Sequence, residues 1–469
     1  MNTLTKVGAA VAVVIVSWAA GTVVLGQRVQ AKLETQGPLG EALDSTGLLK
    51  VVNSEYRKSF FGATRTMSVE WGCSTEGKPA PRLTVQQDIQ HGPFPGFRSV
   101  GAARVTTRLV LDSDARAKLK EVIGTEELPF EMVTIAGFGG GTHTDLRSDG
   151  FTAKDANSNT QISLKPLNLQ LKSSSHGDTT LRYDVQGYEL QDGRGTSMVL
   201  AGLKGSAQGQ APHWYAMGTQ ADGVIERFEL KAPQGGAQPL LLMSNLKMGS
   251  QGAVKDGLYS AQSTMTGQLE VAGTKFQELV MKASLKNLNA EAYARLVKNA
   301  MQPRLSCDNP SEPAALAMQR QLADMQSDLM ALLPSNPEFS LDELSVTLEG
   351  KKALLSYAVG AQGVTAEELK AGFQPGLMQK VKLNAMVETS TGFLQELAKV
   401  FKQPPQMMDA MVAQGVDRGF IRQEGQSLKA TIELAKGQAL LNGKPVPLPG
   451  LTPPPAEPAP VEEETAEGE

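Results

Sequence analysis

The chain has 469 residues, too many for one ordinary core and enough for two or three domains. Charged residues make up 20% and hydrophobic ones 41%, a balance that excludes a wholly disordered chain. Six glutamates after residue 456 turn the formal charge from +2 for the body to −4 for the whole, so the body offers no basic field for nucleic acid.

Residues 7–25 carry no charge. At ~1.5 Å per residue, a helix of that length nearly spans a hydrocarbon core of ~30 Å. It exceeds the ~7–15 apolar residues of a signal-peptide core, so a retained membrane anchor over residues 1–27 is expected rather than a cleaved leader. The rest of the chain then lies on one side of the membrane, with export its expected outcome. Gly8 and Ala12, and Ser17 and Gly21, are spaced for close helix–helix approach, though small residues are common in such segments anyway.

Residues 29–52 read as a short helical neck broken at Gly37-Pro38. From Tyr56 the texture turns to strands. Met67, Val69 and Trp71 alternate with polar residues, and Leu83, Val85 and Ile89 follow. Pro93 and Pro95 cannot donate ladder hydrogen bonds, so that strand ends at His91-Gly92. Phe94 and Phe97 are expected to pin the loop onto apolar surface. Asp112 or Ser113 opens a helix to Ile123. From Phe130 to Leu288 short strands alternate with glycine-rich turns, among them Asp192-Gly193, Asp222-Gly223 and Asp256-Gly257.

Asn289 opens a helix to about Met301, and Ser311 a second to Pro334. In the second, Met318, Leu322, Met325, Leu329 and Leu332 form a narrow seam of two heptads, too short for a coiled coil and suited to packing on a sheet. A hairpin turns at Gly350, and Val381 to Val387 form one more strand. Two helices carry the stripes Phe393-Leu394-Leu397-Val400-Phe401 and Met408-Met411-Val412-Val416. Further short strands follow, with a turn at Asn442-Gly443. The pattern divides the chain into a β-rich region at 28–288, an α+β region at 289–450 and a disordered Pro-rich acidic tail at 451–469. The expected fold class is α+β: an extended antiparallel β-rich body with packed helices, preceded by one N-terminal transmembrane helix.

Little in the chain carries catalytic chemistry. His91, His143, His176 and His213 form no local metal motif, and His143-Thr144-Asp145 reads as a surface turn. No serine has glycine at both flanking elbow positions. The run Gly137-Phe138-Gly139-Gly140-Gly141 lacks the Lys-Ser/Thr of a phosphate loop and reads as a flexible turn. Cys73 and Cys307 are the only cysteines. A disulfide between them and two separate buried thiols are both open readings. Methionines on the helices, such as Met408 and Met411, suit either core filling or an acyl-chain groove.

Several stretches resemble the YdgA-like family of Gram-negative bacteria. They are Tyr56 to Phe61, His91-Gly92-Pro93-Phe94-Pro95, Ile162-Ser163-Leu164-Lys165-Pro166-Leu167-Asn168 and Leu441-Asn442-Gly443. Ser59 departs from the pattern, which has glycine there, and the acidic tail is peculiar to this chain. The resemblance implies a single-pass inner-membrane protein with its bulk in the periplasm, self-associating as a homodimer. It supplies no catalytic residues. The expected function is a non-enzymatic envelope protein acting through protein contacts, without cofactor or nucleic acid. An apolar-ligand or lipid-binding envelope protein is the alternative, and a hydrolase with a dispersed site is a third. An uninterrupted apolar groove would favour the second reading. A pocket joining His91 or His143 to a carboxylate and a hydroxyl would favour the third.

Overall fold

The computed structural model describes residues 49–446 apart from 59–61, 72–81, 156–157, 211–216, 234–237, 302–318, 320–324, 371–375, 377–378 and 402. Alternating apolar residues give strands that pair with their sequence neighbours. β1 (Leu49–Lys58), β2 (Gly62–Trp71), β3 (Arg82–His91), β4 (Ala103–Val110), β5 (Phe130–Ala136) and β6 (Thr142–Ser148) each lie antiparallel to the one before.

β7 (Phe151–Asp155), β8 (Thr160–Leu164), β9 (Leu167–Ser173) and β10 (Asp178–Gln191) follow. β6 pairs with β9 and β7 with β8, yet nothing crosses over. Asp149-Gly150 and Lys165-Pro166 are kinks in two longer strands that run side by side. β10 accordingly pairs with β8 and β9 end to end along one edge.

The longest strands come next: β11 (Ser197–Gln210), β12 (Gly218–Lys231), β13 (Leu241–Lys255), β14 (Leu258–Val271) and β15 (Thr274–Asn289). The meander continues through β16 (Glu338–Leu348), β17 (Lys351–Ala361) and β18 (Val381–Ser390). It closes with β19 (Arg422–Glu424), β20 (Ser427–Ala435), β21 (Gln438–Leu441) and β22 (Lys444–Val446). β20 pairs with β18 on one edge and with β19 and β21 end to end on the other. The 22 strands of the described residues all belong to one antiparallel sheet.

Helices are few and local. Asp112 caps α1 (Ser113–Ile123) by accepting from the Ala115 amide at 2.7 Å, and Gly124 ends it in the left-handed conformation. α1 packs Leu119 and Val122 on Ala153 of β7. The Asn289 side chain accepts from the Ala292 amide at 3.0 Å at the start of α2 (Ala290–Met301). α2 and α3 (residues 325–332) pack on Tyr259 and Leu288. α4 (Ala366–Lys370) is a single turn. Ser390 caps α5 (Thr391–Val400), which pairs with α6 (Pro405–Asp417) and packs on Phe276 and Leu348. The buried residues therefore gather in separate clusters along the sheet, not in one core.

This corrects the expected α+β class. Strand accounts for 60% and helix for 19%, so the helices cover parts of a sheet and build no layer of their own. An apolar stripe reads the same in a helix that covers a sheet end and in one that forms a layer. Among the described residues no helix is long and apolar enough to cross a membrane, so the expected spanning helix is not shown. The uncharged segment 7–25, residues 29–48 of the neck, Cys73, Cys307, His213, Met318 and Leu322 of the seam and the tail lie outside the described residues. Residues 49–52, expected at the end of the helical neck, instead open β1.

Candidate functional site

Residues directly opposite in neighbouring strands share a face of the sheet. Register therefore shows which apolar side chains line up across the molecule. On β9 to β13 the row runs Leu167–Val185–Leu203–Ile225–Leu246. One step along β13 it resumes as Met248–Met265–Met281–Leu344. It ends as Leu344–Leu355–Val387–Ala430 on β16 to β20. The row crosses eleven strands, and ten steps of ~4.8 Å make it ~48 Å long.

Helices wall this row at both sides and leave its middle open. On β17, Ala353 lies under α5 and Val359 pairs with Phe339, which packs in the α2–α3 cluster. Between them stand Leu355 and Tyr357. Tyr357 pairs with Ala385, and Ala385 with Ile432. Tyr357, Val387 and Ile432 are 42%, 47% and 46% exposed, high for large apolar groups in the middle of a sheet. Leu341, Tyr357, Ala385 and Ile432, together with polar neighbours including Asp342, Asn384 and Glu433, line a depression of 360 Å³ there.

The opposite face is polar. Glu343 takes Lys282 at 2.8 Å and Lys352 at 2.7 Å. Hydrogen bonds from Lys282, Lys352 and Ser345 hold its carboxyl down at about 2. Asp342, bulged out beside it, accepts from Ser340 at 2.8 Å and from Ser284.

Lys165 and Pro166 occupy a crease in the sheet. Pro166 has no amide hydrogen to give, and its carbonyl accepts from Gln186 at 2.9 Å while the Lys165 amide donates to Gly187 at 2.9 Å. The Lys165 stem lies over Gly187, where a Cβ would come within 3.2 Å of its Cγ, and its ammonium sits 3.4 Å from Glu189. Gly150, Gly202 and Asn245 carry the crease onward with positive φ. Across it Leu164 and Leu167 join one apolar cluster, so the crease keeps apolar residues on one face.

His91 ends β3, and the loop after it is tightly built. Gly92 donates to Ala102 at 2.7 Å, Gly101 to Pro93 at 3.2 Å, and the Gly92–Pro93 bond is cis. Pro95 is fully buried, whereas Phe94 is 58% and Phe97 95% exposed. The phenylalanines therefore do not pin the loop, as the sequence suggests; Pro95 does.

A polar cleft of 210 Å³ lies behind this loop, lined by Arg98, Ser99, Arg104, Glu131, Asp145 and Arg147. His143 Nε2 is 3.0 Å from Asp145 Oδ2. Ser99 Oγ, His143 Nδ1 and Asp145 Oδ1 are buried with no hydrogen-bond partner. His143-Thr144-Asp145 is thus part of β6, not a surface turn, with Thr144 bonded to Thr134 at 2.9 Å. No hydroxyl bonds to His143 among the described residues. Among the described residues a serine meets a histidine only at Ser175 and its neighbour His176, 3.4 Å apart on an exposed turn. The arrangement can hold an anion but presents no nucleophile and base. No cluster of metal-ligating groups occurs among the described residues.

Sequence reasoning missed the apolar row. Its signal was present as alternation in each strand, but register and bulges decide which residues meet.

Neither a search of curated proteins nor one of solved structures returned a match. Residues 1–449 match the model of a family described as a bacterial protein of unknown function, DUF945, and the chain belongs to that family.

Proposed function

We propose that the protein is a non-enzymatic, YdgA-like protein of the bacterial envelope that binds an apolar ligand of the acyl-chain class on the open face of its sheet. One observation carries the reading: the apolar row from Leu167 to Ala430, buried at Leu167 and Leu246 and stepped at β13, stands open between two helical walls where it crosses β16 to β20. This is the feature that favours ligand binding over a contact scaffold, whose strands would close on the helices. The row is long and narrow, as a flexible chain requires. A depression of 360 Å³ beside the row, at Leu341, Tyr357, Ala385 and Ile432, falls in the ~300–1,000 Å³ range of small-molecule sites. Methionine at three consecutive positions supplies an adaptable lining. A location facing the periplasm follows the family resemblance of the His-Gly-Pro-Phe-Pro run.

Native mass spectrometry of the full chain, purified from cells, tests the proposal. An added mass matching a fatty acid or phospholipid is expected. Met265→Asp should remove it, and Thr264→Asp, which adds the same charge on the other face, should not. Absence of any bound apolar mass in the wild-type protein would return the contact-scaffold reading to first place.

A further inference from the structure

The end of the sheet at the β3–β4 connection differs from the opposite end. Three neighbouring connections meet there: residues 92–102, 137–141 and 174–177. The pairing of Ala102 with Ala136 and of β6 with β9 puts them side by side. Arg98 is the only Lys, Arg, Asp or Glu among their residues, and no carboxylate is present. They also carry four exposed large apolar side chains: Phe94 at 58%, Phe97 at 95%, Val100 at 68% and Phe138 at 65%. At the other end, residues 111–129 include Asp112, Asp114, Arg116, Lys118, Lys120, Glu121, Glu126 and Glu127. One end of these strands is thus apolar and the other charged.

The apolar end is built, not slack. Gly96 and Phe97 both hold positive φ, and for phenylalanine that conformation is unfavourable. A Cβ on Gly96 would strike the Gln90 side chain at 2.3 Å, and one on Gly92 would strike the Gly101 carbonyl at 2.0 Å. The Phe97 amide donates to Phe94 at 3.0 Å, and buried Pro95 anchors the turn between them. The fold thus sustains an unfavourable backbone whose result is a phenylalanine held in water.

We propose that this end of the sheet docks on a lipid bilayer containing anionic headgroups, with Phe94, Phe97 and Phe138 entering the interface and Arg98 meeting phosphate. Single aromatic side chains on separate loop tips suit a fluid interface, which needs no matching shape. A protein partner would instead require a complementary surface of some size. The three connections themselves bring no carboxylate to repel anionic lipid, Glu131 and Asp145 lying in the cleft behind them, and Arg98 adds attraction. The surface is distinct from the apolar row and stands or falls separately from it.

Phe97→Trp in the full chain, reconstituted into vesicles of phosphatidylethanolamine and phosphatidylglycerol, reports on the tip. The wild-type spectrum, with its three native tryptophans, is subtracted. Phe97 is 95% exposed, so the variant should melt with the wild type. The expected result is a blue-shifted difference emission, quenched by lipid brominated near the headgroup. Arg98→Glu should reduce the quenching in these vesicles and leave it unchanged in phosphatidylcholine. A water-like difference emission that bromine does not quench would overturn the proposal. So would a blue shift without bromine quenching, which would mark contact with protein or with a second copy.

Discussion

Met265 on β14 and Met281 on β15 stand directly opposite each other, midway along the apolar row, and each is only half-buried. Full burial of such a side chain contributes ~1.5–3 kcal/mol. Asp at either position should therefore weaken apolar-ligand binding at least ~10-fold, since 1.4 kcal/mol is a factor of ten. Leu, of similar volume, should bind nearly as well as Met. Displacement of a fluorescent fatty acid measures both. Equal affinity for Met281→Asp and wild type would remove the row from the binding site.

If the row is a binding site, a photoreactive residue replacing Leu355 identifies its occupant. Crosslinking in cells should yield an adduct of acyl-chain mass. A crosslinked pair of chains instead would mean that a second copy covers the face, as the expected homodimer would allow.

The crease depends on Gly150. Its φ is +88°, and a Cβ there would lie 2.5 Å from the Leu164 carbonyl oxygen. Gly150→Ala should lose ~1–3 kcal/mol, the range for a residue forced into a sparsely allowed backbone region. Lys165→Ala removes an exposed ion pair with Glu189, a contact of ~0–1 kcal/mol. Thermal unfolding should rank Gly150→Ala well below Lys165→Ala. The reverse order would place the stability of the crease in the lysine.

Glu343 gives the sheet an acid sensitivity of known sign. Its carboxyl is held at about 2, below the ordinary 4.5, because Lys282, Lys352 and Ser345 donate to the charged form. The folded state therefore gains from the ionised carboxylate above about 4.5, and loses that gain as pH falls toward 2. Glu343→Gln should flatten the fall of stability across this window and blunt its salt dependence. Urea melts at a series of pH values read the slope. An unchanged slope in the variant would show that other carboxylates set the acid limit.

The meander itself was legible from the chain. Asp192-Gly193 and Asp256-Gly257 turn where their chemistry says, joining β10 to β11 and β13 to β14. Asp222-Gly223 looks the same in sequence but lies inside β12. There Gly223 is small for another reason: a Cβ would come within 2.8 Å of the Tyr183 hydroxyl, which crosses it from β10. A glycine that makes room for a ring cannot be told from a turn glycine without the register. The His91–Phe97 loop was found, but not the direction of its phenylalanines, because hydrophobicity predicts burial and this loop exposes it. The polar cleft draws Arg98, Arg104 and Arg147 from three places in the chain, with no local pattern to join them.

Asn442, in the turn of the Leu441-Asn442-Gly443 run, ties the last strands together. It is 3% exposed. Its side-chain oxygen accepts from the Thr431 amide at 2.8 Å, and its side-chain nitrogen donates to the Gly419 carbonyl at 2.8 Å. Its own amide donates to the Thr431 carbonyl at 2.8 Å, and Arg422 donates to its carbonyl. Its φ of +53° is one that asparagine tolerates better than most residues. Asn442→Ala should cost ~2–4 kcal/mol, because it leaves two polar groups unpaired and puts a methyl side chain in the left-handed region. Asn442→Gly loses the same hydrogen bonds but accepts the backbone, so it should be less damaging by ~1 kcal/mol. Urea denaturation of the two variants separates side-chain bonding from backbone conformation. If alanine proves as stable as glycine, the left-handed turn contributes nothing and the hydrogen bonds alone hold β20 to the end of α6.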